Sequence, residues 1–354
     1  MLGADTIQLD HAGIDPIGIL SHSQAHLLAE SDADHRIARQ PLGLRSGQGF
    51  TRTGATVQKL ILQPSGWEER WHVFKKGYLP LSAEEPIAKR IRDEVNAFRP
   101  QIMLYLDPYG MDAPFLQAIE RDLKKTVKRL AWFGDCRRTA WSGVGLFETI
   151  FYADSAMQVL LEKHQKEGRP ELCYLPLAVD IDRFKPGGVS TRENRLMFAG
   201  TLTASRLKTL DRLRLRGMPI VWQGPRKDSW WRRWNAKDLT TEELRHLYQA
   251  YAVILNLPQK PKTMHGANFR IFEVAACQNL VLTKWVPDLE LLFDPYEELT
   301  VYRDWDEAPL VFRSLMYDPY RAEEMALKAR ARVVEKHTFD HRVQSILEQL
   351  EKAC

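Results

Sequence analysis

The run His265-Gly266-Ala267-Asn268-Phe269-Arg270-Ile271-Phe272-Glu273-Val274-Ala275-Ala276-Cys277-Gln278-Asn279-Leu280-Val281-Leu282-Thr283 decides how the rest of the chain is read. A loop with one glycine opens a short helical stretch that carries a single acid, Glu273, and Leu280 to Leu282 follows as a buried strand. The unpaired N–H groups and positive dipole end of such a helix suit a diphosphate, and a carboxylate about one turn further in suits both hydroxyls of a ribose. That order suits a nucleotide-sugar pocket. Phe272 and Ala275-Ala276 flank Glu273 in an apolar stretch where a carboxylate without a partner is costly, so a bound polar group is expected there. Arg270, on the same helix, would face the diphosphate or pair with Glu273.

Working outward, 354 residues exceed one ordinary core and fit two domains of about 150 to 200 residues each. With 44% hydrophobic and 27% charged residues the chain has the composition of a soluble globular protein. No window approaches the roughly 18 apolar residues needed to span a bilayer. The N-terminal stretch, with Asp5, Asp10 and Asp15 and no basic-then-apolar order, lacks the form of a secretory signal, so the cytoplasm is the expected compartment. Cys136, Cys173, Cys277 and Cys354 are scattered, with no CxxC pair and no zinc-like spacing, and read as reduced thiols. A net charge of +4 suits a phosphorylated donor or a polyanionic acceptor without selecting either.

Residues 1 to 56 show only one strand-like segment, Ile17 to Leu20, in an irregular, arginine-bearing stretch. From Val57 onward strand-like and helix-like segments alternate: strands over Val57 to Leu62, Gln101 to Leu106, Arg129 to Phe133, Thr149 to Tyr152 and Cys173 to Leu175, with helices over Glu84 to Phe98, Ala113 to Thr126 and Ser155 to Lys166. Alternation of this kind means a parallel sheet covered by helices. Leu175 to Gly188, rich in proline and glycine, reads as a linker. A second alternation begins at Arg195 to Gly200 and runs through a helix over Arg206 to Leu215, a strand over Pro219 to Gln223, and a helix opened by Thr240 with Glu243 three residues on. The strand Ala252 to Leu257 then leads into the opening stretch.

The His265 to Thr283 block resembles the donor-binding segment of the GT-B glycosyltransferases, most closely the CgeB-like spore-maturation group and the related family 1 glycosyltransferase domains. The resemblance runs from about Phe98 to Arg342. It implies an α/β fold of GT-B type, two Rossmann-like domains facing each other across a cleft. The N-terminal, acceptor domain would cover 1–187, with 1–56 irregular; the nucleotide-sugar domain would cover 188–337; a helix over 338–354 would cross back to the first domain. Glu273 falls where the family places its ribose-binding acid. His265 stands where the wider pattern has another glutamate, and Gln278 where it has a glycine.

On this reading the enzyme is a hexosyltransferase-type glycosyltransferase moving a sugar from a nucleoside diphosphate sugar, its co-substrate, to an acceptor hydroxyl. Glu273, Arg270, Asn268, Phe269 and His265 would line the donor with Gly200, Arg206 and Lys208, which follow the second domain's first strand. No metal and no other cofactor is expected: Asp180-Ile181-Asp182 has the letters of a metal-binding pair but lies in the linker. Asp107 and Asp135 follow first-domain strands and are the candidates for orienting or deprotonating the acceptor; the competing role for each is to cap a turn. Trp230 and Trp231, in a run interleaved with arginines, are candidates for contact with the donor base or the acceptor. The acceptor class stays open among glycan, protein, small molecule and modified nucleic acid. Two other functions remain: transfer of sugar to a modified base in DNA or RNA, and non-catalytic binding of a nucleotide sugar or nucleic acid.

Overall fold

The computed structural model describes residues 17–21, 57–61, 86–108, 111, 113–123, 127–134, 143–188, 191–226, 239–258 and 264–352. Among these residues the strands form two all-parallel sheets. The first contains β1 (Ile17–Ser21), β2 (Val57–Ile61), β3 (Ile102–Leu106), β4 (Lys128–Phe133), β5 (Thr149–Tyr152) and β6 (Glu171–Tyr174) in the order β2-β1-β3-β4-β5-β6. The second contains β7 (Glu193–Ala199), β8 (Ile220–Gln223), β9 (Tyr251–Asn256), β10 (Leu280–Lys284) and β11 (Thr300–Tyr302) in the order β11-β10-β9-β7-β8. In each sheet the order reverses once, between β1 and β3 and between β7 and β9.

Local sequence accounts for these elements. All five residues of β3, Ile-Met-Leu-Tyr-Leu, are buried, as a parallel strand covered on both faces requires. Helix α1 (Pro86–Phe98) buries Ile87, Ala88, Ile91 and Val95, one stripe at helical spacing, and packs on α2 (Ala113–Glu120). Helix α2 stops at Glu120, short of the expected Thr126. The Glu120 carboxylate receives the Arg129 guanidinium and the Tyr105 hydroxyl, which ties the helix end to β3 and β4. The expected helix over Ser155 to Lys166 is instead a single 3₁₀ turn, Ser155–Met157, capped by Asp154, followed by α3 (Gln158–Glu162).

The second sheet carries α4 (Ala204–Leu215), α5 (Thr241–Ala250), α6 (Phe269–Ala276), α7 (Leu289–Leu292), α8 (Glu307–Tyr317) and α9 (Pro319–Lys336). The capping box expected at Thr240 and Glu243 is present in both directions. The final helix, α10 (Phe339–Lys352), leaves that sheet and sets Phe339 against the buried Trp132 of β4, ring centroids 6.4 Å apart. Trp132 donates its indole N–H to the carbonyl of Leu175 at the start of the connecting segment. One hydrophobic cluster accordingly continues from Leu104, Trp132 and Phe151 through Leu175, Ala178 and Val179 to Ile271, Phe272 and Phe293. Arg342 of α10, 5% exposed, fastens the crossing by donating to the carbonyls of Pro176, Leu177 and Lys336.

Candidate functional site at the C-terminal edge of the second sheet

Strand β7 pairs with β8 on one side and β9 on the other, so the chain leaves β7 and β9 toward opposite directions. In open α/β sheets ligands collect outside the carboxyl ends of strands at such a reversal. Here that place is bounded by Ala199-Gly200-Thr201 after β7 and by Asn256 at the end of β9. Gly200 has φ +143°, and a Cβ on it would stand 2.6 Å from an Nη of Arg270. Gly224, at φ +144°, approaches closer still: its Cβ would lie 2.2 Å from the carbonyl oxygen of Gly200. Both turns have the positive φ that favours glycine, and the space a side chain would take is filled by the Arg270 guanidinium at Gly200 and by backbone at Gly224.

Two guanidinium groups flank Phe198 beside the Gly200 turn. Arg270 lies with its Cζ 5.0 Å from the ring centre and donates to the Ala199 carbonyl at 2.6 Å. Arg206, in the first turn of α4, lies 5.5 Å from the same ring and donates to the Thr201 carbonyl at 2.9 Å. Neither side chain belongs to the solvated face of its helix, whereas Lys208 is exposed. Arg270 meets the β7 end rather than making the ion pair with Glu273 that spacing also allowed.

Asn256, 1% exposed, organises the other half of the site. Its side-chain oxygen accepts from Asn268 Nδ2 at 2.8 Å and Arg270 Nη1 at 3.0 Å, and its amide donates to Thr283 Oγ1 of β10 at 3.0 Å. Asn268 is the N-cap of α6 with extended backbone (φ −86°, ψ 166°) and makes no side-chain cap bond. Its side chain is committed sideways to Asn256, which leaves the first-turn N–H groups of α6 uncapped by it. Phe269 is half-buried against the core. Glu273, one turn on, is 7% exposed and accepts from the Tyr248 hydroxyl at 3.3 Å. Burial, with the Glu273 charge adding, holds that hydroxyl well above the usual tyrosine range.

The opposite wall of the cleft comes from the first sheet. Asp154 and Ser155 follow the carboxyl end of β5, and they meet His265, Gly266 and Asp288 of the other domain. His265 donates its amide N–H to the Asp154 carboxylate at 3.1 Å, and its Nδ1 lies 3.0 Å from Ser155 Oγ. Asp288, fully buried, accepts from the Ser155 amide at 2.9 Å, from the Ser155 hydroxyl, and from the Tyr174 hydroxyl at 3.2 Å. Burial raises the Asp154 carboxyl above its ordinary value, opposed by the amides of Gly266, His265 and Ala156. The carboxyl ends of the two sheets therefore face each other, with α6 opening between them.

Asp107 follows β3 at the first sheet's own reversal point, with φ +48°. Its Oδ1 accepts from the Gly134 amide at 2.8 Å, a bond that joins the ends of β3 and β4. Asp135, Trp230 and Trp231 lie outside the described residues. Among the described residues no group of three or more His, Cys, Asp or Glu side chains is placed to hold a metal ion, and no helix is long and apolar enough to cross a membrane. The structure thus brings Gly200, Arg206, Asn268, Phe269, Arg270, Glu273 and His265 to one edge of one sheet. It adds Asn256, Tyr248, Asp154, Ser155 and Asp288. Only Asn256 left a trace in sequence, as a polar residue closing an apolar strand.

Residues 203–348 match a protein-family model described as "Glycosyl transferase-like". No curated protein matches the sequence. Among solved structures, the sucrose-phosphate synthase of Thermosynechococcus elongatus superposes with a TM-score of 0.64 at 12% identity, covering 96% of this chain and 100% of that one. A glycosyltransferase from Rickettsia africae gives 0.61 at 11%, covering 96% and 99%. HepE of Anabaena, solved with UDP and glucose, gives 0.60 at 11%, covering 96% and 100%. The fold is GT-B, and residues 203–348 form a glycosyltransferase domain within it.

Proposed function

We propose that this GT-B glycosyltransferase binds a nucleoside diphosphate sugar against the second sheet and transfers the sugar to a hydroxyl of an acceptor held by the first. The observation that carries the reading is the convergence of Gly200, Arg206, Asn268 and Arg270 on the β7/β9 reversal, directly beneath the N-terminus of α6. HepE, an example of the same fold, is solved with UDP and glucose, which supports a nucleotide sugar as the donor.

In this reading the diphosphate lies between the Gly200 turn and the start of α6, where amide dipoles and the Arg206 and Arg270 guanidinium groups offset the charge that grows as the bond to the anomeric carbon breaks. Glu273 holds the ribose, and the Tyr248 hydroxyl orients its carboxylate. Fixed cations and dipoles supply the electrophilic assistance, so the reaction proceeds without a divalent metal. The linker pair supports this, because Asp180 is occupied locally: it accepts from the amides of Asp182 and Arg183 and pairs with the Arg183 guanidinium at 3.2 Å. Asp107 or Asp135 orients the acceptor.

Calorimetry of the purified chain against UDP-, GDP-, ADP- and TDP-sugars tests the reading, in EDTA and in Mg²⁺. One donor should bind in either buffer, and Arg206→Ala and Glu273→Ala should each weaken it by about 10-fold or more. Absence of binding to all four sinks the proposal, and binding only with Mg²⁺ sinks its metal-independent part.

A further inference from the structure

The loop that precedes α6 is shaped by the opposite domain. Asp154, 2% exposed, takes the amide N–H groups of His265 and Ala156, and Gly266 packs against it. The His265 carbonyl accepts from the Asp288 amide at 3.1 Å, and the Asp288 carboxylate accepts in turn from the Ser155 amide and hydroxyl. Because the Ser155 proton goes to Asp288, its oxygen receives the Nδ1 proton of His265. Gly266 is glycine for the same reason: a Cβ there would stand 3.0 Å from the Ala153 carbonyl oxygen and 3.0 Å from Asp154 Cβ. The space a side chain would take at Gly266 belongs to the first domain.

Resting on the nucleotide-sugar reading above, we propose that Asp154, on the acceptor side of the cleft, is a positioning residue for the donor. It holds the His265–Gly266 backbone in the one path that delivers Asn268 and the N-terminus of α6 to the β7/β9 reversal. When the domains part, the His265 amide loses its acceptor, Gly266 loses its packing against Asp154, and the loop loses the conformation that presents the helix end. Donor affinity is then set partly from a domain that touches no part of the donor through this residue.

The test uses the full chain as wild type, Asp154→Asn, Ser155→Ala and Ser155→Thr. In hydrogen exchange without ligand, the His265 amide should exchange about 10-fold faster in Asp154→Asn, while β9 and α10 keep their protection. In calorimetry with UDP-, GDP-, ADP- and TDP-glucose, the donor that binds wild type should bind Asp154→Asn about 10-fold more weakly. Its KM in slow donor hydrolysis should rise with kcat within about 2-fold, as loss of binding alone requires. Ser155→Ala should move the same quantities in the same direction, Ser155→Thr should restore them, and this pair decides the matter where Asp154→Asn does not fold. Unchanged exchange at His265, or unchanged donor affinity in a variant whose exchange has risen, overturns the proposal. If wild type binds none of the four, the donor reading fails, and the exchange data still show whether Asp154 holds the loop.

Discussion

Replacing Arg342 with methionine tests what joins the two halves of the molecule. The guanidinium sits at the crossing of the connecting segment and α10, and Val179 pairs with Thr338 beside it. It donates to three carbonyls, Pro176 at 2.6 Å, Leu177 at 3.0 Å and Lys336 at 3.0 Å, and to His337 Nδ1 at 2.9 Å. Methionine fills much of the same volume and satisfies none of the four acceptors. At about 1.5 to 2 kcal/mol for each acceptor left dry, the loss is about 6 to 8 kcal/mol. Against it stands relief from burying a cation: burial lowers the Arg342 pKa to about 10, which leaves it charged at pH 7 but costs about 3 kcal/mol relative to water. The difference, about 3 to 5 kcal/mol, is the expected net destabilisation. Equilibrium unfolding in urea at pH 7.5, extrapolated linearly to water, measures it. Lysine, which keeps the charge and loses the planar fork, should recover part of the loss. A methionine variant within about 1 kcal/mol of wild type would refute the view that these hydrogen bonds outweigh the desolvation of the charge.

The same crossing makes the protein acid-sensitive. His337 accepts from Arg342 at Nδ1 and donates Nε2–H to the Leu292 carbonyl at 2.7 Å, and burial, with the Arg342 charge adding, lowers its pKa to about 4. The folded value lies below the unfolded one of about 6.5, so this stability is complete above pH 6.5 and is lost as pH falls to about 4, by about 3 kcal/mol in all. His337→Gln should flatten urea midpoints across that window; an unchanged pH slope would count against the assignment. Asn256→Leu should weaken donor binding by about 10-fold because Asn268 and Arg270 lose their shared acceptor, whereas Asn256→Asp, which keeps that acceptor oxygen, should bind nearly as wild type. Equal affinities for the two variants would remove Asn256 from the site. Gly224→Ala places a methyl where the Gly200 carbonyl oxygen stands, at φ +144°, and should cost about 3 kcal/mol or more in thermal unfolding.

What sequence could show was set by how far apart the cooperating residues lie. Segments whose partners are local read well: the Thr240–Glu243 capping box, the helix over Ala204–Leu215, the strand Thr149–Tyr152 and the apolar strands of both sheets all depend on periods of a few residues. The Arg270 side chain illustrates the limit. Helical spacing offered it Glu273 as a pair, but its partners are Ala199, 71 residues away, and Asn256, 14 residues away on the preceding strand. Asp154, Ser155 and Asp288 carried no signal at all, because an aspartate before a short turn and another before a short helix look like ordinary caps. Asp154 is a cap, for the Ser155–Met157 turn, and in the folded chain its carboxylate also serves a loop 111 residues on.

Those long-range pairs also bear on the glycines around the site. The sequence predicts that backbone without a side chain approaches the donor at Gly200, yet Gly200 yields to Arg270, Gly224 to the Gly200 backbone, and Gly266 to Ala153 and Asp154. Each removes a side chain so that one protein segment can press on another, and the surface they build is held by close contacts to backbone, to the Asp154 side chain and to a hydrogen-bonded guanidinium. A diphosphate meeting that surface finds donors already fixed, which is what charge stabilisation in a transition state requires. In the proposed reading the glycines would serve the donor by ordering its neighbours, and the Asp154 contact would extend that order across the cleft to the first domain.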